Sequence, residues 1–188
     1  MISYPVRVFF VMAALALHGT HAAAQTRPTF EGTWQLSNAD ANAQRTTIVA
    51  AAGDGAFKVG DMGSGWGTTV TFSRRANRLI LEYPYFGAYD LMAPLHYEFE
   101  PDGEEVINEV TLGPGVTRLR TRAQWRADSL VITTQQPVPA DVAGNNVVAE
   151  VRRVLTRAGT DTLHIITTRI GIAGAPNNTV RSVYVRKP

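Results

Sequence analysis

The chain has 188 residues, 45% of them hydrophobic and 18% charged, with a formal net charge of +2. That length suits one domain, and so small a basic excess, without any Lys/Arg block, gives no footing for nucleic acid. The absence of cysteine excludes disulfides, thiol catalysis and a lipid anchor on an N-terminal cysteine.

Residues 1–24 read as a secretory signal. Arg7 supplies the positive start, Val8 to Leu17 the apolar segment, and Ala22-Ala23-Ala24 a small-residue cleavage site before Gln25. Ten apolar residues are too few to span a bilayer, which needs about 20. The expected product is an exported domain over 25–188, periplasmic or secreted, and not an integral membrane protein.

The mature chain opens on FEGTWQLS, with Gly32 two residues before Trp34 on an apolar strand. A tryptophan turned into a barrel closes one end by burying a large ring, and a glycine beside it leaves room for a neighbour. The segment 38–45 has room for one irregular helical turn. No other window carries a helical stripe.

Beyond this opening the chain alternates with a period of two, the mark of half-buried strands. In Val116 to Trp125, residues Leu119, Thr121, Ala123 and Trp125 share one face, and Arg118, Arg120, Arg122 and Gln124 the other. Leu95, Tyr97 and Phe99 alternate with His96, Glu98 and Glu100 in the same way. Strands are expected at 30–36, 46–51, 56–60, 68–74, 78–83, 95–100, 105–112, 115–126, 129–136, 147–157, 161–170 and 179–187. Pro-Asp-Gly at 101–103 and short polar links near 74–79, 126–130 and 157–163 mark the turns. About eight to ten strands spaced this regularly predict an all-β fold, a single antiparallel meander closed into a barrel to hide its edges. An outer-membrane barrel is disfavoured, because Glu98, Glu100, Arg118, Arg120 and Arg122 would face hydrocarbon.

The stretches Phe30 to Leu36, Tyr89 to Glu105, Ala123 to Thr134 and Val180 to Lys187 resemble exported bacterial proteins of unknown function with a lipocalin-like barrel. The Gly-x-Trp strand is similar to that of the lipocalin and fatty-acid-binding superfamily. The resemblance implies a lipocalin-like barrel and an exported location, and brings no catalytic residues with it. It also implies a basic residue from the last strand lying over the Trp34 ring, for which Arg181 and Arg186 are the candidates.

Metal and cofactor sites are not expected. Only His96 and His164 remain after the leader, without ligand spacing. No Gly-x-Ser-x-Gly elbow is present, and Ser64 in GSGWG reads as part of a flexible turn. Two sets of binding candidates stand out. One is aromatic and apolar: Tyr83, Tyr85, Phe86, Tyr89 and Met92 on a loop spanning 83–94, with Trp66 on another. The other is Arg153 and Arg169, basic residues on mainly apolar faces, where a guanidinium needs an anion or hydrogen-bond acceptors. The expected function is binding or sequestration of a small apolar or amphipathic ligand. An isomerase or hydrolase using the same cavity, and a filled barrel acting as an envelope interaction module, are the rival readings.

Overall fold

Alternating apolar residues become ten strands: β1 Gly32–Leu36, β2 Thr69–Arg75, β3 Arg78–Phe86, β4 Leu91–Phe99, β5 Asp102–Leu112, β6 Gly115–Arg126, β7 Ser129–Pro139, β8 Asn146–Ala158, β9 Thr162–Ile170 and β10 Asn178–Arg186. The computed structural model describes residues 27–40, 64–86, 91–112, 115–139, 146–171 and 177–188, and for 85–86, 91–93, 112, 137–139 and 146–147 the backbone alone. All ten strands form one antiparallel sheet in the order β4-β3-β2-β1-β10-β9-β8-β7-β6-β5. Each strand pairs with its chain neighbour except at one place, and β1 pairs with β10 as well as β2. The result is a meander barrel closed by first strand on last. Its single seam lies between β4 and β5, which are consecutive in the chain yet share no ladder.

The alternation decides which face each residue takes. On β6, Leu119, Thr121 and Ala123 are buried while Arg118, Arg120 and Arg122 are exposed. The outward arginines reach across to β5, Arg118 to Glu109 at 2.8 Å and Arg120 and Arg122 to Glu105 at 2.8 and 3.1 Å. Such exposed pairs add little stability; they mark the outer wall as wet. Among the described residues no helix is long and apolar enough to cross a membrane.

The two ends differ. At one, β2–β3 and β6–β7 turn in two residues, with Ala76 and Ala127 at φ of +53° and +49°. We call this end the floor. Phe86, Leu91, Leu112, Gly115, Pro139, Asn146, Ile170 and Asn178 end or begin their strands at the opposite end, the mouth.

Several expectations change in detail. The strands expected at 46–51 and 56–60 lie outside the described residues, as does the leader. Asn38–Asp40 forms the helical turn expected there. The stretch 83–94 is not one long loop: β3 runs on to Phe86 and β4 starts at Leu91, with Tyr85 opposite Met92 and Phe86 opposite Leu91. Pro84 suggested a break because it cannot donate to a ladder. The sheet absorbs it with a register shift between Tyr83 and Tyr85. The gap between the strands expected at 129–136 and 147–157 likewise shortens, since β7 and β8 stay paired out to Pro139 and Asn146.

Candidate functional site

The floor is built on Trp34. Its ring is fully buried and its indole Nε1 donates to the Phe30 carbonyl at 2.7 Å. The Arg186 guanidinium lies over the ring, 4.7 Å from its centre, and Arg157 lies 5.5 Å away. Arg186 Nη2 donates to the Glu31 carbonyl at 2.9 Å. Gly32 has φ +120°, and a Cβ there would sit 2.7 Å from Arg186 Nη1. The glycine of Gly-x-Trp therefore makes room for the arginine. Arg181 does not take this place. It is exposed on the outer wall, where its Nη2 is 3.3 Å from Nδ1 of His164. Residues 181 and 186 have opposite parity, so only one can face inward.

Above the floor the chain folds back inside. Ser64 and Trp66 are 1% and 2% exposed, although this stretch reads in the sequence as a flexible turn. Tyr184 on β10 holds it: its hydroxyl donates to the Gly67 carbonyl at 2.6 Å, and Ser64 Oγ lies 2.6 Å from the same oxygen. Ser64 Oγ accepts the Trp66 N–H at 3.1 Å, which leaves its own hydrogen for Tyr184. Arg153 on β8 is the second anchor. Its Nε donates to the Ser64 carbonyl at 2.7 Å and its guanidinium covers the Trp66 ring at 4.6 Å. Trp66 also meets Phe72 edge-on at 6.0 Å. We refer to Ser64–Gly67 as the plug.

The inner wall can be followed row by row across β6 to β10. The lowest row that crosses all five strands, Trp125, Leu130, Leu155, Ile165 and Ser182, is mostly apolar. The next runs Ala123, Ile132, Arg153, Thr167 and Val180, and the one above it Thr121, Thr134, Val151, Arg169 and Asn178. Nearer the mouth, buried Leu119, Val110 and Ala149 make the wall apolar again. A polar, cationic waist thus lies between an apolar floor and an apolar collar. At the waist Thr121 Oγ1, Thr167 Oγ1 and Asn178 Oδ1 are buried with no hydrogen-bond partner among the described residues.

Two guanidiniums converge at this waist. A Cβ on Gly65 would lie 3.1 Å from Arg153 Nη2 and 3.4 Å from Arg169 Nη2. Arg153 keeps some contact with solvent as a whole residue, but its charged end is desolvated. Burial is the main cause that lowers its pKa to about 10; the Arg169 charge adds to this and the Tyr83, Tyr97 and Tyr184 phenols oppose it. It stays protonated at neutral pH. No ion pair joins Arg153 to a carboxylate among the described residues. Tyr83 and Tyr97, stacked at 5.9 Å with their hydroxyls 3.4 Å apart, face the same region.

Arg153, Arg169 and Trp66 are therefore brought together. The side chains of Tyr85, Phe86 and Met92, and Tyr89 altogether, lie outside the described residues. Tyr83, one of the aromatic candidates, is placed here beside Tyr97; Tyr97 and Tyr184 do not stand out in the sequence because each looks like one more inward residue of a strand.

The arrangement suits anion recognition better than covalent chemistry. Burial pushes the Tyr184 phenol up to about 12, the wrong direction for a base. Among the described residues Ser64 has no base at its hydroxyl, and none forms a metal-binding group of three or more His, Asp or Glu. A separate concavity, about 1040 Å³, runs along the outer wall past Arg122, Arg126, Arg152 and Glu150. It faces water, carries both signs of charge and includes none of the converging residues.

Together these features define a nearly closed, ten-stranded antiparallel barrel with an inward cationic waist. No protein-family model matches the chain, and no curated protein matches it.

Proposed function

We propose that the chain is an exported lipocalin-like barrel that binds or sequesters a small amphipathic molecule with an anionic end. The observation that carries this reading is Arg153, desolvated beside Arg169 inside the barrel, with no carboxylate paired to it among the described residues. An isolated buried cation is costly unless something of opposite charge or good hydrogen-bonding capacity joins it. Buried hydroxyls at the same level add donors for the ligand's polar end. The apolar collar of Val110, Leu119 and Ala149 suits a hydrocarbon portion pointing to the mouth. The leader-like residues 1–24 support export.

The test is displacement of 11-(dansylamino)undecanoic acid from delipidated protein by dodecanoate. Binding is expected, and Arg153→Met or Arg169→Met should weaken it roughly 10- to 100-fold, the range of a charge-assisted hydrogen bond. Failure of the folded wild type to bind the probe at any usable concentration removes the reading.

A further inference from the structure

The plug touches the waist directly, and its contacts divide the Arg153 guanidinium into a held part and an offered part. The Ser64 carbonyl takes Nε, the Trp66 ring covers one flat face, and Nη2 is left beside Arg169 Nη2 over Gly65. We infer that the plug is the positioning element of the anion site: Ser64 and Trp66 aim Arg153, and Gly65, by lacking a side chain, lets the two guanidiniums meet there. This rests on the proposed function and adds to it. The ligand's charge is read by an arginine whose orientation comes from a loop distant in sequence, not from the strand wall that carries it. A flexible arginine must lose side-chain freedom to bind. Prior fixation by Ser64 and Trp66 removes that cost from the binding step. Linkage then requires the reverse effect, that an anion on Arg153 steadies the plug.

Gly65 and Gly67 provide a matched pair for the test. Their φ angles are +75° and +72°, so alanine brings similar backbone strain at either position. Only at Gly65 does the new methyl meet the guanidiniums, at 3.1 and 3.4 Å; at Gly67 nothing lies within 4 Å. Gly65→Ala should therefore weaken dodecanoate binding roughly tenfold more than Gly67→Ala, at comparable melting temperatures. Equal losses in the two variants, with the wild type binding, overturn the inference and leave the proposed function standing. A wild type that binds neither dodecanoate nor dodecyl phosphate overturns both. If Gly65→Ala does not fold, Trp66→Phe and Trp66→Leu replace it. Phenylalanine keeps a π face under Arg153 and should hold affinity within about threefold, whereas leucine should lose roughly tenfold. Equal affinity in these two variants counts against the inference as well.

Discussion

Asn108 on β5 pairs with both backbone groups of Glu98 on β4: it accepts the Glu98 N–H at 2.7 Å and its Nδ2 donates to the Glu98 carbonyl at 3.0 Å. The carboxamide does with a side chain what a ladder does elsewhere. It stands at the one seam of the barrel, where β4 and β5 exchange no ladder bonds, and it is 5% exposed. A single residue thus closes the polar circuit between the first and last strands of the sheet order.

Replacing Asn108 by leucine, close to it in size, should consequently be costly. It leaves a donor and an acceptor unmet in a partly buried seam, each worth about 1–3 kcal/mol. We expect Asn108→Leu to lose at least about 2 kcal/mol in denaturant unfolding. Asn108→Asp should also lose stability, because it keeps the acceptor for the Glu98 N–H but sets a carboxylate against the Glu98 carbonyl. Unchanged midpoints in both variants would show that the seam holds without this residue.

The floor makes a separate demand. Trp34→Ala should cost about 3–5 kcal/mol, the usual range for truncating a large buried aromatic. Arg186→Met should cost less, about 0.5–2 kcal/mol, since it removes the cation over the ring but keeps most of the packing stem. A Trp34→Ala loss under about 1 kcal/mol would mean that the ring does not plug the floor.

Two turns carry avoidable strain. Ala76 and Ala127 occupy the left-handed region at φ +53° and +49°, where a Cβ costs roughly 1–2 kcal/mol and glycine costs nothing comparable. Part of the gain is lost to glycine's greater freedom in the unfolded chain. Ala127→Gly should still raise stability by about 0.5–1 kcal/mol, and Ala76→Gly similarly. Lower melting temperatures for both would contradict the strain argument.

The outer wall sets an acid dependence. Arg78 Nη1 contacts Glu98 Oε2 at 2.5 Å, and that hydrogen bond is the main cause holding the Glu98 carboxyl below the usual carboxylate range. A carboxylate whose folded pKa is depressed stabilises the fold above its unfolded pKa and loses that contribution as pH falls through the folded value. Between neutral pH and acid below the usual carboxylate range, the wild type should lose more stability on unfolding than Glu98→Gln. The difference should be small, because Arg78 is half-exposed. Equal acid losses would show that this pair is not linked to folding.

Much of the architecture was legible without coordinates. Period-two alternation names the strands and their inner faces, and short polar links name the turns, because both are local properties of the backbone. The same parity already implies that Arg181 and Arg186 face opposite ways. Gly32 and Trp34 show that a floor is wanted, and the inward placement of Arg153 and Arg169 is read from the apolar residues flanking them. The proline-bearing stretches 83–94 and 136–146 misled only in extent: a register shift carries β3 past Pro84, and β7 and β8 pair in unbroken register out to Pro139 and Asn146.

What the tertiary structure decided are relationships between residues that the chain keeps far apart. Ser64 meets Tyr184 across 120 positions and Arg153 across 89, so a glycine-rich stretch that looks like a loose turn buries Ser64 and Trp66 in the site. Asn108 reads in sequence as an ordinary polar residue of a strand; only the missing ladder beside it makes its carboxamide a seam. Arg153 and Arg169 share a point over Gly65 because two adjacent strands and a returning loop converge there. Local patterning reports how a side chain faces its own strand. Which groups then share one small desolvated volume is settled by closure of the sheet, a long-range packing outcome that no short window contains.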